Sequence, residues 1–449
     1  MMQRTAVHTV ITLAVTALLL ASFPRPAEAR SHSLSQDQAV KRAVGRHPAV
    51  DATKLAARAA GARVSMAKTG WLPRVRVEGG YMLMGPVQSL HMEVDPGHPG
   101  IDPIVIDNDL GSLHNASVGV TVAWRAFDFG ARDVRTAAAR ALVAASKAET
   151  AERKAQVAYA ARAAYLAVLF FKEVEGVTAR SLKVALADQR EHRLRKKAGV
   201  GNDLDVARAN IRVAELRAHQ SRASQERGRA LVTLRILLGL KAGTSLRLTD
   251  TLQKLGTAPA KPRARPRLHP TRLRLRALER ASRLEVKRLG RSWWPTIDLV
   301  GQVKYQYPKN YFENDKAGLF YSLGVRLTWN VFDGDLIRRQ RRQARFKESQ
   351  VKALSRAAGE EISRKLSDAG AKVRIAASSV RSARRTLKAA HVYLKAARVS
   401  RRSGMTTALE VRKAEEKVDQ ASLGEIKAYF DGGLARAAQL LAQGKVTSR

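Results

Sequence analysis

Histidines and carboxylates gather in one short stretch of the chain, and such side chains bind divalent cations. The stretch runs from residue 91 to residue 114 and is rich in glycine and proline. The candidate ligands are His91, Glu93, Asp95, His98, Asp102, Asp107, Asp109 and His114. Nitrogen and oxygen ligands of these types suit zinc or calcium when a fold holds them together. The glycines and prolines favour a mobile, solvated loop instead, so we expect no metal site here.

The rest of the sequence offers no arrangement for catalysis. It has no cysteine, its other histidines are scattered, and it lacks a phosphate-binding loop. Neither a nucleophile beside a base nor a cradle for a cofactor can be assembled from such a pattern. We therefore expect a protein that is not an enzyme and holds no cofactor.

The charge balance is strongly basic and raises a nucleic-acid hypothesis. Lys and Arg number 81 against 39 Asp and Glu, which gives a net charge of +42 over 449 residues. An excess of this size is typical of proteins that bind polyanions. Binding of nucleic acid would require a chain that stays inside the cell.

The N-terminus instead has the pattern of a secretory signal. Arg4 precedes an apolar run over 10–21, and Ala27-Glu28-Ala29 supplies a small-x-small cleavage pattern. We interpret residues 1–29 as a signal peptide, and an exported protein has little access to nucleic acid. No later stretch reaches the ~18 consecutive apolar residues of a transmembrane helix, so strands must place the chain in any membrane that it enters.

The chain uses one unit twice. Trp-Leu-Pro at 71–73 returns as Trp-Trp-Pro at 293–295, which is 222 residues later. Trp-Arg-Ala-Phe-Asp at 124–128 returns as Trp-Asn-Val-Phe-Asp at 329–333, which is 205 residues later. A longer link in the first half explains the difference between the two offsets. The predicted organisation is a first repeat over 30–240, an equatorial linker over 241–267, a second repeat over 268–440 and a tail over 441–449.

Each repeat contains two segments in which apolar and polar residues alternate, as in half-exposed strands. The predicted strands are about 73–84, 115–124, 296–307 and 320–329. Each is close to the 9–11 residues that a tilted strand needs to cross a bilayer. The basic residues on the polar face are Arg74, Arg76, Lys304 and Arg326. We expect them to line the lumen of a barrel and to affect its ion selectivity.

Four strands cannot close a membrane barrel, because lipid tolerates no open sheet edge and the smallest such barrels have about eight strands. The chain must then share a barrel with copies of itself, and two, three or four protomers all satisfy the spacing. The alternative is a soluble protein that carries two surface hairpins.

Long proline-free segments predict helices. Residues 104–258 and 309–449 lack proline and are rich in Ala, Arg, Leu, Glu and Lys. The predicted helices are 35–70, 128–198, 203–238, 270–292, 334–402 and 406–440. A helix over 128–198 would be roughly 105 Å long. Asp128 and Asp333 precede the two longest helices and are predicted to cap them. Helices of these lengths suit a tube or, alternatively, a solid soluble coiled coil.

Taken together, these motifs resemble the TolC-like outer-membrane efflux and secretion proteins. The residues that carry the resemblance are the opening 34–40, His47-Pro48, 71–73, the corners 127–130 and 332–334, and the turns at Gly199 and Gly404. The resemblance implies an α+β membrane protein in which a homotrimer builds a twelve-stranded outer-membrane barrel, continued by an α-helical tunnel into the periplasm. It also implies contact with outer-membrane lipids, a periplasmic adaptor protein and an inner-membrane transporter.

The resemblance further implies that the helical turns form the periplasmic entrance and contact the adaptor. The residues at these turns are Gly199, Val200, Asp203, Asp205, Gly404, Met405, Thr406, Glu410 and Lys413. Glu410 matches the first acidic position of the family's entrance ring, whereas the second acidic position is occupied by Lys413. The alternative is that the polar residues simply cap helices.

The sequence therefore predicts a passive outer-membrane exit duct of a tripartite efflux pump or a type I secretion system. Two alternatives stay open: an exported periplasmic helical scaffold without a pore, and a basic nucleic-acid-binding protein.

Overall fold

The computed structural model describes residues 32–94, 97–100, 102–241, 243–257, 269–310 and 315–447. The expected signal peptide over 1–29 lies outside these residues. So do residue 242 and residues 258–267 of the expected linker.

Helices and strands are numbered here in chain order. Their bounds are β1 His32–Leu34, α1 Gln36–Arg46, α2 Pro48–Lys68, β2 Arg74–Leu83, β3 Gln88–Val94, β4 Ile104–Leu110, β5 His114–Phe127, α3 Ala131–Lys197, α4 Asp203–Leu238, β6 Leu246–Leu248, α5 Leu252–Thr257, α6 Pro270–Arg291, β7 Thr296–Tyr307, β8 Gly318–Thr328, α7 Leu336–Arg402 and α8 Ala408–Ala442. Within the described ranges, no helix combines the length and the apolar character that a membrane-crossing helix needs.

The chain divides into two compact units. The first, called here the helical unit, comprises 1–47, 155–262 and 368–449. The second, called the strand unit, comprises 48–154 and 263–367. Each unit draws on both halves of the chain, so the two sequence repeats are not the two units.

The strand unit contains a four-stranded sheet in the order β2-β5-β7-β8. All neighbours are antiparallel, and β5 of the first repeat pairs with β7 of the second. The register aligns apolar positions across the sheet: Val77 faces Val120, Val120 faces Val303, and Val303 faces Tyr321. Because side chains alternate between the faces of a strand, this register gathers the apolar residues of all four strands on one face.

A second sheet contradicts the loop expected between the first two predicted strands. Strands β3 and β4 form an antiparallel hairpin in which His91 faces Asp107 and Met92 faces Ile106. Alternation of polar and apolar residues continues through both segments, and it outweighs the glycines and prolines, which lie between and beside the strands. Among the described residues, no group of His, Asp or Glu side chains suits a metal ion.

The helical unit is built on small buried residues. In α8, Ala414, Ala421, Ala428 and Ala435 are buried and recur at seven-residue intervals. A seven-residue repeat of this kind keeps one face of a helix against its neighbours, and alanine allows a close approach. Larger fully buried side chains such as Tyr165 and Leu234 complete the core.

Three short elements of the helical unit were not anticipated from the sequence. Strands β1 and β6 pair in parallel over three residues each. Helix α5 packs against α8 so closely that a Cβ on Gly256 or Gly432 would collide with the backbone of the opposite segment. Side-chain-free positions on both helices are therefore needed for this contact.

Histidine-proline pairs mark helix boundaries in both repeats. The segment expected as one helix over 35–70 is divided at His47, which ends α1, before Pro48 begins α2. In the second repeat, His269 Nδ1 accepts a hydrogen bond from the backbone N–H of Thr271 at 3.3 Å and so caps α6. Burial lowers the pKa of His269, which keeps the imidazole neutral and able to accept this bond.

Candidate functional site

The polar face of the four-stranded sheet carries a cluster of charged side chains. Arg76 faces Thr121, and Thr121 faces Gln302, across neighbouring strands. Lys304 lies two residues after Gln302 on β7, opposite Gly119. Arg74 and Arg326 lie at other positions of this face, opposite Ala123 and Asp298. The four basic residues predicted from alternation therefore share one face of the sheet.

Carboxylates on the same face neutralise part of this basic charge. Asp298 lies between Arg125 and Arg326 in the cross-strand register and bonds to Arg125 at 2.9 Å. Arg76 bonds to Glu78 at 3.1 Å. Sequence reasoning missed Arg125, although the alternation Ser117, Gly119, Thr121, Ala123 extends to it.

The opposite face of the sheet is apolar and open. Tyr321 is 85% exposed and Leu323 is 87% exposed, and Val75 and Val77 are exposed as well. In the described part of the chain, β2 and β8 are edge strands, each with a single partner. A sheet with one apolar face, one charged face and two free edges is a wall segment that needs neighbours on both sides.

A strand-to-helix corner joins β5 to α3. Asp128 accepts hydrogen bonds from the backbone N–H of Gly130 at 3.1 Å and from that of Arg132 at 2.9 Å, so its carboxylate caps the helix. Phe129 and Gly130 both have positive φ, which turns the chain sharply. The Arg132 guanidinium also donates to Asp128, and both side chains are buried.

Backbone carbonyls complete the surroundings of Arg132. Its guanidinium donates to the carbonyls of Gly70, Arg125 and Ala126 at 2.7 to 3.2 Å, and it lies 4.0 Å from the ring centre of Trp71. This one side chain ties α3 to the end of β5 and to the turn that precedes β2.

The second repeat builds the same corner with a different residue. Asp333 accepts a hydrogen bond from the backbone N–H of Ile337 at 3.0 Å, as Asp128 does from Arg132. Gly334 and Asp335 have positive φ at this corner. Ile337 occupies the position of Arg132, so within the described part of the chain the second corner is capped without a buried ion pair.

The turns at Gly199 and Gly404, called here the far turns, end α3 and α7 in the same way. Val200 N–H donates to the carbonyl of Arg195 at 3.0 Å, and Met405 N–H donates to that of Ser400 at 2.9 Å. Gly199 and Gly404 have φ of 74° and 75°. These are Schellman motifs, which end a helix at a left-handed glycine.

Polar residues after the first far turn cap the next helix or contact the preceding one. Asn202 accepts a hydrogen bond from Asp205 N–H at 2.8 Å, and Asp203 contacts Lys196. In the second repeat, Thr407 is the N-cap of α8 but makes no side-chain capping bond, and Thr406 lies just before it. Capping therefore involves Asn202 in the first turn only.

Glu410 is engaged on two sides. It accepts a hydrogen bond from the Tyr393 hydroxyl, and Lys413 Nζ lies 3.7 Å from its carboxylate. Each sequence-predicted residue at the second turn is exposed or half-exposed. The acidic charge of Glu410 is thus partly balanced within its own chain.

This architecture matches that of a known protein family. A family model described as outer membrane efflux protein matches residues 39–240 and 265–442. The chain belongs to the outer membrane efflux protein family. The matched ranges cover the second predicted repeat and all of the first except residues 30–38, and no curated protein matches the sequence.

Solved structures of outer membrane efflux channels share the fold at low sequence identity. CusC is 14% identical with a TM-score of 0.76, over 94% of this chain and 96% of that chain. The outer membrane protein VceC of Vibrio cholerae is 15% identical with a TM-score of 0.71, over 91% and 96%. The MtrE outer membrane channel of Neisseria gonorrhoeae is 14% identical with a TM-score of 0.70, over 91% and 89%.

Family membership confirms the predicted fold class, location and function at the level of the family. The protein is an α+β outer-membrane efflux channel with an internal duplication, and its strands and long helices are those of the family's β-barrel and periplasmic tunnel. Neither the periplasmic scaffold nor the nucleic-acid-binding protein gains any support from these comparisons.

Proposed function

We propose that three copies of the chain form the channel and that their sheets close one twelve-stranded barrel in the outer membrane. The observation that carries this proposal is the four-stranded sheet with an apolar face, a charged face and two edge strands. Pairing of β8 with β2 of a second copy removes both free edges when the ring closes. The apolar face then meets lipid, and the charged face lines the lumen.

The lumen so formed is basic. Arg74, Arg76, Lys304 and Arg326 contribute positive charge, whereas Glu78 and Asp298 offset part of it. Charges that line a narrow conduit of low-dielectric walls concentrate ions of opposite sign. The channel is therefore expected to favour anions over cations.

The far turns are proposed to be the periplasmic entrance and the contact for an adaptor protein, which links the channel to an inner-membrane transporter. Supporting this role, Val200 and Met405 are 79% and 75% exposed at the tips of matched Schellman turns. Large apolar side chains at exposed tips are typical of contact sites. The protein is proposed to perform no chemistry, and the transporter supplies the energy.

Reconstitution in a planar bilayer tests the proposal. We expect the mature protein to need detergent for extraction, to sediment as a trimer and to conduct ions. A protein that is released without detergent and gives no conductance would instead be the periplasmic scaffold.

A substitution at the sheet edge tests trimer formation directly. Proline in place of Phe320 disturbs the backbone pairing of the edge strand β8, and it should prevent trimers while the long helices still form. The control is proline in place of Ser221 on α4, which is far from the sheet in sequence. It breaks a helix and should leave the pairing of the sheet edges intact. Trimers that persist in the Phe320→Pro variant would contradict edge pairing through β8.

A further inference from the structure

The helical unit contains a cavity of about 260 Å³ whose lining carries three cationic and two acidic side chains. Its walls come from the start of α1, the middle of α3, α5 and the end of α8. The lining includes Ser35, Asp37, Arg162, Asp250, Lys254 and Arg436. Three of these six side chains are cationic, and two of the three are arginines on different long helices.

Arg162 is a buried charge, and no carboxylate of the described residues forms an ion pair with it. Its side chain lies in α3 and is 3% exposed, and it donates a hydrogen bond to the backbone carbonyl of Val446 at 2.5 Å. Burial lowers the pKa of Arg162, Asp37 opposes that shift, and the charge of Arg436 adds to it. A buried cation that no carboxylate contacts directly is costly, so this position favours an anion in contact with it, beyond the longer-range attraction of Asp37.

Arg436 on α8 is half-buried and makes a similar contact. It donates a hydrogen bond to the carbonyl of Leu255 at 2.6 Å, and burial lowers its pKa. Among the described residues, no carboxylate forms an ion pair with either Arg162 or Arg436. A guanidinium carries five N–H donors, and each of these two side chains uses one of them in a hydrogen bond to a described backbone carbonyl.

The cavity wall contains two carboxylates, Asp37 and Asp250, and Asp250 is committed elsewhere. Asp250 accepts a hydrogen bond from the backbone N–H of Gln36 at 2.7 Å, and its carboxylate lies 3.3 Å from the Tyr165 hydroxyl. The nearest cation to it is Lys254, at 3.9 Å. Asp250 therefore holds β6 to the start of α1 and does not neutralise the two arginines.

We propose that this cavity, between Arg162 and Arg436, is a binding site for a small tetrahedral oxyanion of the phosphate class. Planar guanidinium forks bind phosphate oxygens in pairs, and two forks from different helices supply matching donors. The cavity is large enough for such an anion together with several waters. A bound anion crosslinks α3 and α8 and offsets the repulsion between the buried Arg162 and the half-buried Arg436.

The test uses the detergent-purified mature protein and inorganic phosphate as the probe. Binding is measured by equilibrium dialysis with labelled phosphate, at constant ionic strength held with chloride. We expect saturable binding of one phosphate per chain. Acetate serves as the carboxylate probe and should bind more weakly than phosphate.

Three variants assign the binding to these side chains. Arg436→Gln should weaken phosphate binding at least tenfold, and Arg436→Lys, which keeps the charge but loses the fork, should weaken it about tenfold. Arg229→Gln is the matched control, because its side chain is 75% exposed in α4 of the same unit and pairs with Glu226. The control should bind phosphate as the unchanged protein does.

Thermal unfolding gives a second measurement that does not depend on affinity alone. In chloride, Arg436→Gln should unfold at a higher temperature than the unchanged protein, because the cation that repels the buried Arg162 is gone. Phosphate should raise the unfolding temperature of the unchanged protein and of Arg229→Gln beyond the small general effect of this salt on all variants.

Several results would overturn the site. They are the absence of saturable phosphate binding, equal binding by Arg436→Gln and Arg229→Gln, tighter binding of acetate than of phosphate, or an equal thermal response to phosphate in all variants.

Discussion

The indole nitrogen of Trp124 donates a 3.0 Å hydrogen bond to the backbone carbonyl of Trp71. Trp329 makes the same bond to Trp293 at 3.1 Å. These four tryptophans are the landmarks that recur at two different offsets along the chain, and the hydrogen bonds join the two kinds of landmark within each repeat. The insertion in the first half therefore leaves the strand ends in equivalent positions.

Loss of either indole donor should destabilise the protein by a similar, modest amount. Trp124→Phe and Trp329→Phe each remove one hydrogen bond worth about 1 kcal/mol while an aromatic ring is kept. The measurement is the denaturant midpoint of the purified channel. Trp294→Phe is the control, because it retains a ring against Phe129. Effects that differ severalfold between the two repeats would contradict their equivalence.

Removal of the corner carboxylate should affect the two repeats very differently. Asp128→Ala leaves the buried Arg132 charge without its partner, which costs about 3–5 kcal/mol. Asp333→Ala removes only a helix cap and costs about 1 kcal/mol. Chemical denaturation of both variants gives the comparison. Asp128→Ala combined with Arg132→Met should recover much of the loss, and a double variant no better than Asp128→Ala would show that the ion pair is not the cause.

Asp298 should control how basic the proposed lumen is. Asp298→Asn removes the ion-pair partner of Arg125 and the negative charge opposite Arg326, so the preference for anions should rise, by roughly twofold in permeability ratio. Neutralisation of Arg74, Arg76 and Lys304 together should lower it. Reversal potentials across a salt gradient measure both effects. Arg229→Gln lies outside the strands and should leave the potential unchanged, and an unchanged potential in all variants would remove these residues from selectivity.

Substitutions of Glu410 and Lys413 at the second far turn should shift the reversal potential in opposite directions. Lys413→Gln leaves the Glu410 carboxylate less balanced and should shift the reversal potential toward cations, whereas Glu410→Gln should shift it toward anions. Lys427→Gln, further along α8, also removes a lysine that pairs with a carboxylate on its own helix, and it is the control. Shifts of the same sign in the two variants would place the narrow entrance elsewhere.

Tyr165 should make the helical unit sensitive to alkaline pH. Burial raises the pKa of its phenol from 10.0 to about 12, and its hydroxyl donates to the carbonyl of Leu34 at 2.9 Å. The folded state holds the neutral phenol, so its contribution is complete below pH 10 and is lost as the pH rises toward about 12. Denaturant midpoints of the unchanged protein and of Tyr165→Phe should differ at pH 8 and converge with rising pH. A difference that stays constant would contradict the assignment.

Regular patterns in the sequence account for most of the sheet and the long helices. Alternation predicted strands at about 73–84 and 296–307, and the structure has β2 at Arg74–Leu83 and β7 at Thr296–Tyr307. The long helices lie within a few residues of their predicted ends because proline-free, alanine-rich segments have few competing structures. Periodic signals of this length are hard to imitate by chance.

The features that were missed depend on contacts between segments distant in sequence. Strands β1 and β6 have three residues each, which is too short for a periodic signal. Arg132, Arg162 and Arg436 have the sequence appearance of exposed charges on basic helices, yet Arg132 and Arg162 are 7% and 3% exposed. Only the tertiary structure separates a buried arginine from the many that face water.

The replacement of Arg132 by Ile337 gives the two repeats joints of unequal stiffness. In the proposed trimer, six strand-to-helix joints alternate around the ring. Three carry the buried ion pair with its backbone carbonyls, and three carry a carboxylate cap without that pair. The arrangement of the joints is nearly sixfold, but their stabilisation repeats only threefold. We therefore expect the joints of the second repeat to yield first under an outward load, so that one duplicated sequence provides both the firmer and the more compliant joints of a single channel.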